Sequence, residues 1–117
     1  YGTDYPTPDG TCIRDFVHVG DIAEAHILAL NHVDQHGGTL VANLGTGHGY
    51  SVRELASETR QITGRQLRIR EEPRRPGDPA QLYAASHLAE QHLGWRPLRP
   101  QLKTQIGDAW SFYQNRS

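Results

Sequence analysis

Arg74 and Arg75 lie between Pro73 and Pro76, and Gly77 and Asp78 follow directly. A guanidinium presents a planar fork of donors that matches two phosphate oxygens, and a nearby carboxylate can accept from the hydroxyls of a ribose. The prolines restrict the loop "EEPRRPGDP" in advance of any ligand, while Gly77 lets it turn. An arginine followed shortly by an aspartate therefore suits a nucleoside diphosphate. The same residues also fit a solvated loop whose arginines pair with Glu71, Glu72 or Asp78, and the local sequence leaves both readings open.

A further cation lies far upstream. In "CIRDFVHV", Ile13, Asp15, Val17 and Val19 alternate with Arg14, Phe16 and His18, which is the period of a short strand. On one face of such a strand Phe16 could carry a base while Arg14 meets a phosphate. Alternatively, Arg14 pairs with Asp9 or Asp15 and Phe16 belongs to the core. His18, Asp21 and His26 are of metal-ligating type, but a helical His26 and a capping Asp21 explain their own positions, so no metal is expected. Cys12, the serines and the histidines show no nucleophile–base spacing, and no catalytic residue is assigned.

The glycine-rich turn "NLGTGHGYS" has its glycines at 45, 47 and 49, whereas a dinucleotide fingerprint opening at Gly45 requires one where Tyr50 stands. It reads as a structural turn. Its remaining capacity is to offer backbone amides at a helix start to the anionic end of a ligand.

These residues need elements to hold them. "YGTDYPTPDGTC" is a structured loop, the strand of residues 12–19 follows, and Asp21 with Glu24 forms an acidic capping box for a helix to about Val33. "TLVANLG" has the character of a buried strand. Ser51 and Glu54 open a second helix with Val52, Leu55, Ala56, Thr59 and Ile62 along one stripe, closed by Gly64. "QLRIR" alternates as a strand, Ser86 to Leu93 forms two helical turns stopped by Gly94, and Leu102, Ile106, Ala109, Trp110 and Tyr113 mark a last amphipathic helix.

The alternation is that of an α/β protein, but the strands are too few for a complete doubly wound sheet. With 117 residues the chain fits one domain, and because it contains no methionine it is expected to be a piece of a longer protein. Twelve basic and 13 acidic residues leave a formal charge of −1, which gives no field to favour nucleic acid or an anionic membrane. The single cysteine, Cys12, permits no internal disulfide, and without a long apolar run the expected compartment is the reducing cytoplasm.

In order along the chain, "YGTDYPTPDGTCIRDFVHVGDIAEAHILAL", "NLGTGHGYSV", "PRRPGDP" and "LGW" resemble the C-terminal part of the UDP-glucose 4-epimerase family, extended short-chain dehydrogenases/reductases of the NAD-dependent epimerase/dehydratase group. The resemblance implies the substrate-binding portion of such a fold, short strands alternating with amphipathic helices, with the Rossmann half missing and residues 1–117 forming one UDP-sugar-binding region. It implies that Arg14 and Arg75 hold the pyrophosphate and Asp78 the ribose. Tyr1 would lie near the uracil, Phe16 on the nucleotide side, and Val52 close against the nucleotide. Leu82 stands where a tyrosine often contributes, and Ala85 where related sequences commonly have Asp.

In the family, NAD takes a hydride from C4 of UDP-glucose or UDP-galactose, the 4-keto sugar turns, and the hydride returns to its other face. The Tyr-x-x-x-Lys pair and glycine-rich NAD loop of that chemistry are not in this sequence, so the chain by itself is expected to be inactive, with NAD bound by the missing N-terminal part. The implied setting is galactose metabolism, and the full-length parent is a possible homodimer. Two alternatives stay open: another UDP-sugar 4-epimerase acting on UDP-xylose or UDP-N-acetylglucosamine, and a noncatalytic nucleotide-binding module.

Overall fold

A computed structural model describes residues 1–116, with four helices and a three-stranded sheet. The strands are β1 (Ile13–Arg14), β2 (Tyr50–Ser51) and β3 (Gln81–Leu82); the helices are α1 (Val19–His36), α2 (Val52–Thr63), α3 (His87–Leu93) and α4 (Leu102–Gln114). β1 is central, antiparallel to β2 and parallel to β3. Its register sets Arg14 opposite Tyr50 on one side and Leu82 on the other.

The expected strand of residues 12–19 contracts to Ile13–Arg14, because the chain already turns into α1 at His18. Neither "TLVANLG" nor "QLRIR" forms a strand, and Val41 and Ile69 stay 81% and 55% exposed. β-propensity reflects fit to a partnered, half-buried surface, and neither segment is laddered to another among the described residues. β3 instead forms at the end of the arginine loop, beyond Pro79, where backbone amides are again available to the ladder.

α1 starts two residues earlier than expected and runs to His36. Its cap is His18, whose Nδ1 accepts from the Gly20 amide at 2.9 Å, in place of the Asp21–Glu24 box. With Nδ1 accepting, the ring proton sits on Nε2 and points to the Asp108 carboxylate on α4 at 3.0 Å. Asp21 is fully buried. Its Oδ2 accepts from the Arg99 amide at 2.9 Å, its Oδ1 faces the Arg99 guanidinium at 3.2 Å, and its carbonyl accepts from the Trp95 indole at 2.8 Å. Trp95 closes the core with Ala25 and Ala89, flanked by Val17, Leu28, Ala42, Leu44 and Leu93.

α2 follows its sequence closely: Ser51 and Glu54 make the reciprocal capping box, and Gly64 closes the helix with φ 64°. Gly94 ends α3 in the same way, with φ 65°. α4 turns Leu102, Ile106 and Trp110 inward, whereas Ala109 and Tyr113, assigned to the same stripe, are exposed. No helix of the described residues is long and apolar enough to cross a membrane.

Candidate functional site

The N-terminal loop and the arginine loop clasp each other. The Gly2 amide donates to the Glu72 carbonyl at 2.7 Å, and a Cβ on Gly2 would fall 2.3 Å from the Tyr5 ring, so only glycine permits this approach. Arg74 stacks 4.2 Å from the Tyr5 ring centre and donates through Nε to Asp4 at 2.8 Å. That hydrogen bond, ahead of the attraction between the charges, holds the Asp4 carboxyl below its ordinary pKa. Burial, followed by a hydrogen bond with Cys12, pushes the Tyr5 phenol upward. Arg74 is thus engaged in holding the two loops together.

Arg75 is turned the other way. Its guanidinium lies 4.7 Å from the centre of the Tyr1 ring, and Asp78 receives Nε at 3.0 Å and Nη2 at 2.9 Å. The Arg75 side chain is 60% exposed and that of Asp78 25%. The internal pairing is the one formed, Arg75 with Asp78, while more than half of the Arg75 side chain stays exposed. An exposed pair of this kind contributes little stability and can exchange partners.

Tyr1 also lines a cleft of about 200 Å³ with Val52, Arg53, Ile69, Arg70 and Glu71. Val52 is the first residue of α2 and is 45% exposed. Thr11, which also lines the cleft, is tied down by Asp9, which receives the Thr11 amide at 2.9 Å, the Thr11 hydroxyl at 2.6 Å and the Ser51 hydroxyl. Burial raises the pKa of Asp9, but the hydrogen bonds from Ser51 and Thr11, with the charge of Arg53, outweigh it and hold the carboxyl below its ordinary value. Tyr1, Val52, Arg75 and Asp78 are accordingly brought into one neighbourhood.

Arg14 and Phe16 do not share a face beside that cleft. Arg14 is half-buried in β1, where Nη1 donates to the carbonyl of Ile13 at 2.8 Å; it pairs with neither Asp9 nor Asp15. Its link to the arginine loop runs through the backbone, with the Ile13 amide donating to Ala80 at 2.9 Å and that of Asp15 to Leu82 at 3.2 Å. Phe16 lines an apolar groove with Val17, Leu55, Leu102, Ile106 and Phe112, because the chain leaves the sheet after Arg14 and passes along α4. The Gln105 amide fixes this passage by donating to the Phe16 carbonyl at 2.9 Å.

Asp15 is the polar residue whose part was missed. Its carboxylate receives the Thr46 amide at 3.0 Å, the Thr46 hydroxyl at 2.6 Å, the Gly47 amide at 2.9 Å and the Ala84 amide at 3.4 Å. The trace it left was an acid on the otherwise apolar side of the Ile13–Asp15–Val17 alternation, a position that requires internal partners. The Thr46 and Gly47 amides of the glycine-rich turn are therefore directed at a carboxylate of the chain itself, and the amides at the start of α2, expected to face a ligand's anionic end, donate to the Cys12 carbonyl and to the Thr11 and Ser51 hydroxyls. A Cβ on Gly49 would lie 2.4 Å from both Ile13 and Tyr83, so this glycine serves close packing. The turn does not fit a dinucleotide.

Among the described residues no group of three or more His, Cys, Asp or Glu is arranged to hold a metal. His18 caps α1, Asp21 is held by Arg99, and the His26 ring bonds the Ile22 carbonyl at 2.7 Å.

Residues 3–45 match the model of the NAD dependent epimerase/dehydratase family. A UDP-glucose 4-epimerase of Corynebacterium glutamicum is 46% identical over 112 residues, which is 96% of this chain and 34% of the relative. The solved UDP-glucose 4-epimerase of Brucella ovis, in complex with NAD, is 49% identical with a TM-score of 0.82 over 91% of this chain and 33% of that one. That of Bifidobacterium longum, in complex with NAD+ and UDP, is 40% identical with a TM-score of 0.87 over 99% of this chain and 34% of that one. The chain spans about a third of the length of these relatives. Residues 3–45 thus match that family's model, and along nearly its whole length the chain is similar to UDP-glucose 4-epimerases.

Proposed function

We propose that residues 1–117 are the UDP-sugar-binding region of an NAD-dependent UDP-glucose 4-epimerase, which interconverts UDP-glucose and UDP-galactose through a 4-keto intermediate. The observation that carries this reading is the Tyr1–Arg75–Asp78 constellation beside the Val52 cleft. An aromatic ring gives a uracil a surface to lie against, a half-free guanidinium takes diphosphate oxygens, and a neighbouring carboxylate accepts from the ribose. In this reading UDP displaces Asp78 from Arg75, and the released carboxylate turns to the ribose. Arg14 contributes the second charge on the diphosphate, from a strand hydrogen-bonded to the one that follows the arginine loop. Phe16 lies in a separate groove along α4 and is no part of this constellation.

NAD, with the tyrosine and lysine that handle the hydride and proton, is supplied by parts of the enzyme outside this chain; the chain's own residues bind and orient UDP while the sugar turns. Titrating UDP into the full-length protein and its Arg75→Ala variant by calorimetry tests the reading. Loss of about 1.5 to 3 kcal/mol of binding free energy is expected for removing charge-assisted contacts. Unchanged UDP affinity removes Arg75 from the site.

A further inference from the structure

The three-stranded sheet has only two residues in each strand, so its ladder specifies register weakly. A slip of one residue turns every side chain of a strand to the opposite face. Arg14 is therefore aimed only as firmly as β1 is held against both neighbours. The residue beside it supplies that hold. The Asp15 amide donates to Leu82 of β3 at 3.2 Å, and its carboxylate takes Ala84 just beyond β3 at 3.4 Å. The same carboxylate gathers Thr46 and Gly47, a short distance before β2, at 2.6 to 3.0 Å. One side chain thus fastens the flanks of both outer strands to the central one. Asp15 directly follows β1, so fastening its amide and its carboxylate fixes the end of the strand from which Arg14 projects.

Resting on the UDP reading above, we propose that Asp15 is a positioning residue for the diphosphate, which sets the register of β1 and through it the aim of Arg14. The turn it organises allows no easy substitute. A Cβ on Gly45 would lie 2.8 Å from the Asp15 carboxylate and 2.4 Å from the Ala84 carbonyl, so the acceptor is fitted to this backbone. Asp15→Asn keeps the shape but sets an NH2 against amides that also donate, which loosens the turn and leaves β1 free to shift.

The test is a double-mutant cycle on the full-length protein, with UDP affinity read by calorimetry for wild type, Asp15→Asn, Arg14→Ala and the double variant. If Asp15 acts through Arg14, Asp15→Asn weakens UDP about tenfold in the wild-type background and less than about twofold once Arg14 is gone. It also raises KM for the UDP-sugar while leaving kcat near its wild-type value. Thr46→Val removes one donor with little change of shape and should give a smaller loss in the same direction, which keeps the inference testable if Asp15→Asn folds poorly. Equal losses in both backgrounds, or no loss, overturn the inference. Arg75→Ala separates this from failure of the UDP reading: unaltered affinity there sinks the reading, whereas a weakened Arg75→Ala beside a neutral or additive Asp15→Asn sinks only the role of Asp15.

Discussion

The guanidinium of Arg75 lies over the Tyr1 ring with 4.7 Å between its carbon and the ring centre, although the two residues are 74 positions apart in sequence. Arg75 also keeps a two-donor contact with Asp78, so one side chain joins a ring and a carboxylate at the edge of a cleft. Its neighbour Arg74 makes the corresponding contacts with Tyr5 and Asp4 on the loop itself. Adjacent arginines thus divide their contacts: Arg74 is engaged by Tyr5 and Asp4, while the Arg75 side chain stays 60% exposed.

That division predicts different outcomes for two substitutions. Arg75→Lys keeps the charge but loses the planar fork, and should recover less than half of the UDP binding free energy lost in Arg75→Ala. Arg74→Ala should cost no more than about 1 kcal/mol of folding stability, as expected for an exposed ion pair with a cation–π contact. Calorimetry with UDP and urea unfolding separate the two effects.

Asp9 predicts an acid-side dependence. Its pKa is lowered on folding, so its contribution is present above the ordinary value of 3.8 and is lost as pH falls through the lower folded value. Asp9→Asn should reduce stability at pH 7 and should flatten the loss seen as the solution is taken from about pH 5 toward pH 2. Urea midpoints across that range provide the check, and an unaltered slope rules Asp9 out as a source.

Asp21 is fully buried, and its carboxylate holds both the amide and the guanidinium of Arg99. Asp21→Ala should cost about 2 to 4 kcal/mol, because it takes the acceptor from the Arg99 amide and guanidinium and empties a fully buried position. Trp95→Phe should cost about 1 to 3 kcal/mol through the lost indole bond to the Asp21 carbonyl and the lost volume. Since the two residues are in contact, their costs should not add in the double variant.

Gly49 predicts a packing defect at the sheet. A methyl group there meets Ile13 and Tyr83 at 2.4 Å, so Gly49→Ala should destabilise by about 1 to 3 kcal/mol. Gly47→Ala meets no atom within 4 Å but must hold φ 73°, and should cost about 1 kcal/mol. Thermal unfolding of the two variants distinguishes steric from backbone strain.

Local signals determined the parts that depend on neighbours in sequence. The Ser51–Glu54 capping box, the left-handed stops at Gly64 and Gly94, and the periodicity of α2 and α4 were all legible, because each is closed by bonds within a few residues. In "PRRPGDP" the pairing of Arg75 with Asp78 was legible for the same reason. Strands were legible only at Ile13–Arg14, since a ladder needs a partner that the local pattern does not name: "TLVANLG" and "QLRIR" have strand character without a ladder, while Gln81–Leu82 becomes a strand by lying beside Ile13 and Arg14. Asp21 read as a cap and proved to be a buried anchor for Arg99, and Asp15 read as strand alternation and proved to hold the glycine-rich turn. What only the tertiary structure decided is which residues distant in sequence meet. Such contacts carry most of the burial and electrostatic free energy of a domain, yet they leave no periodic trace along the chain.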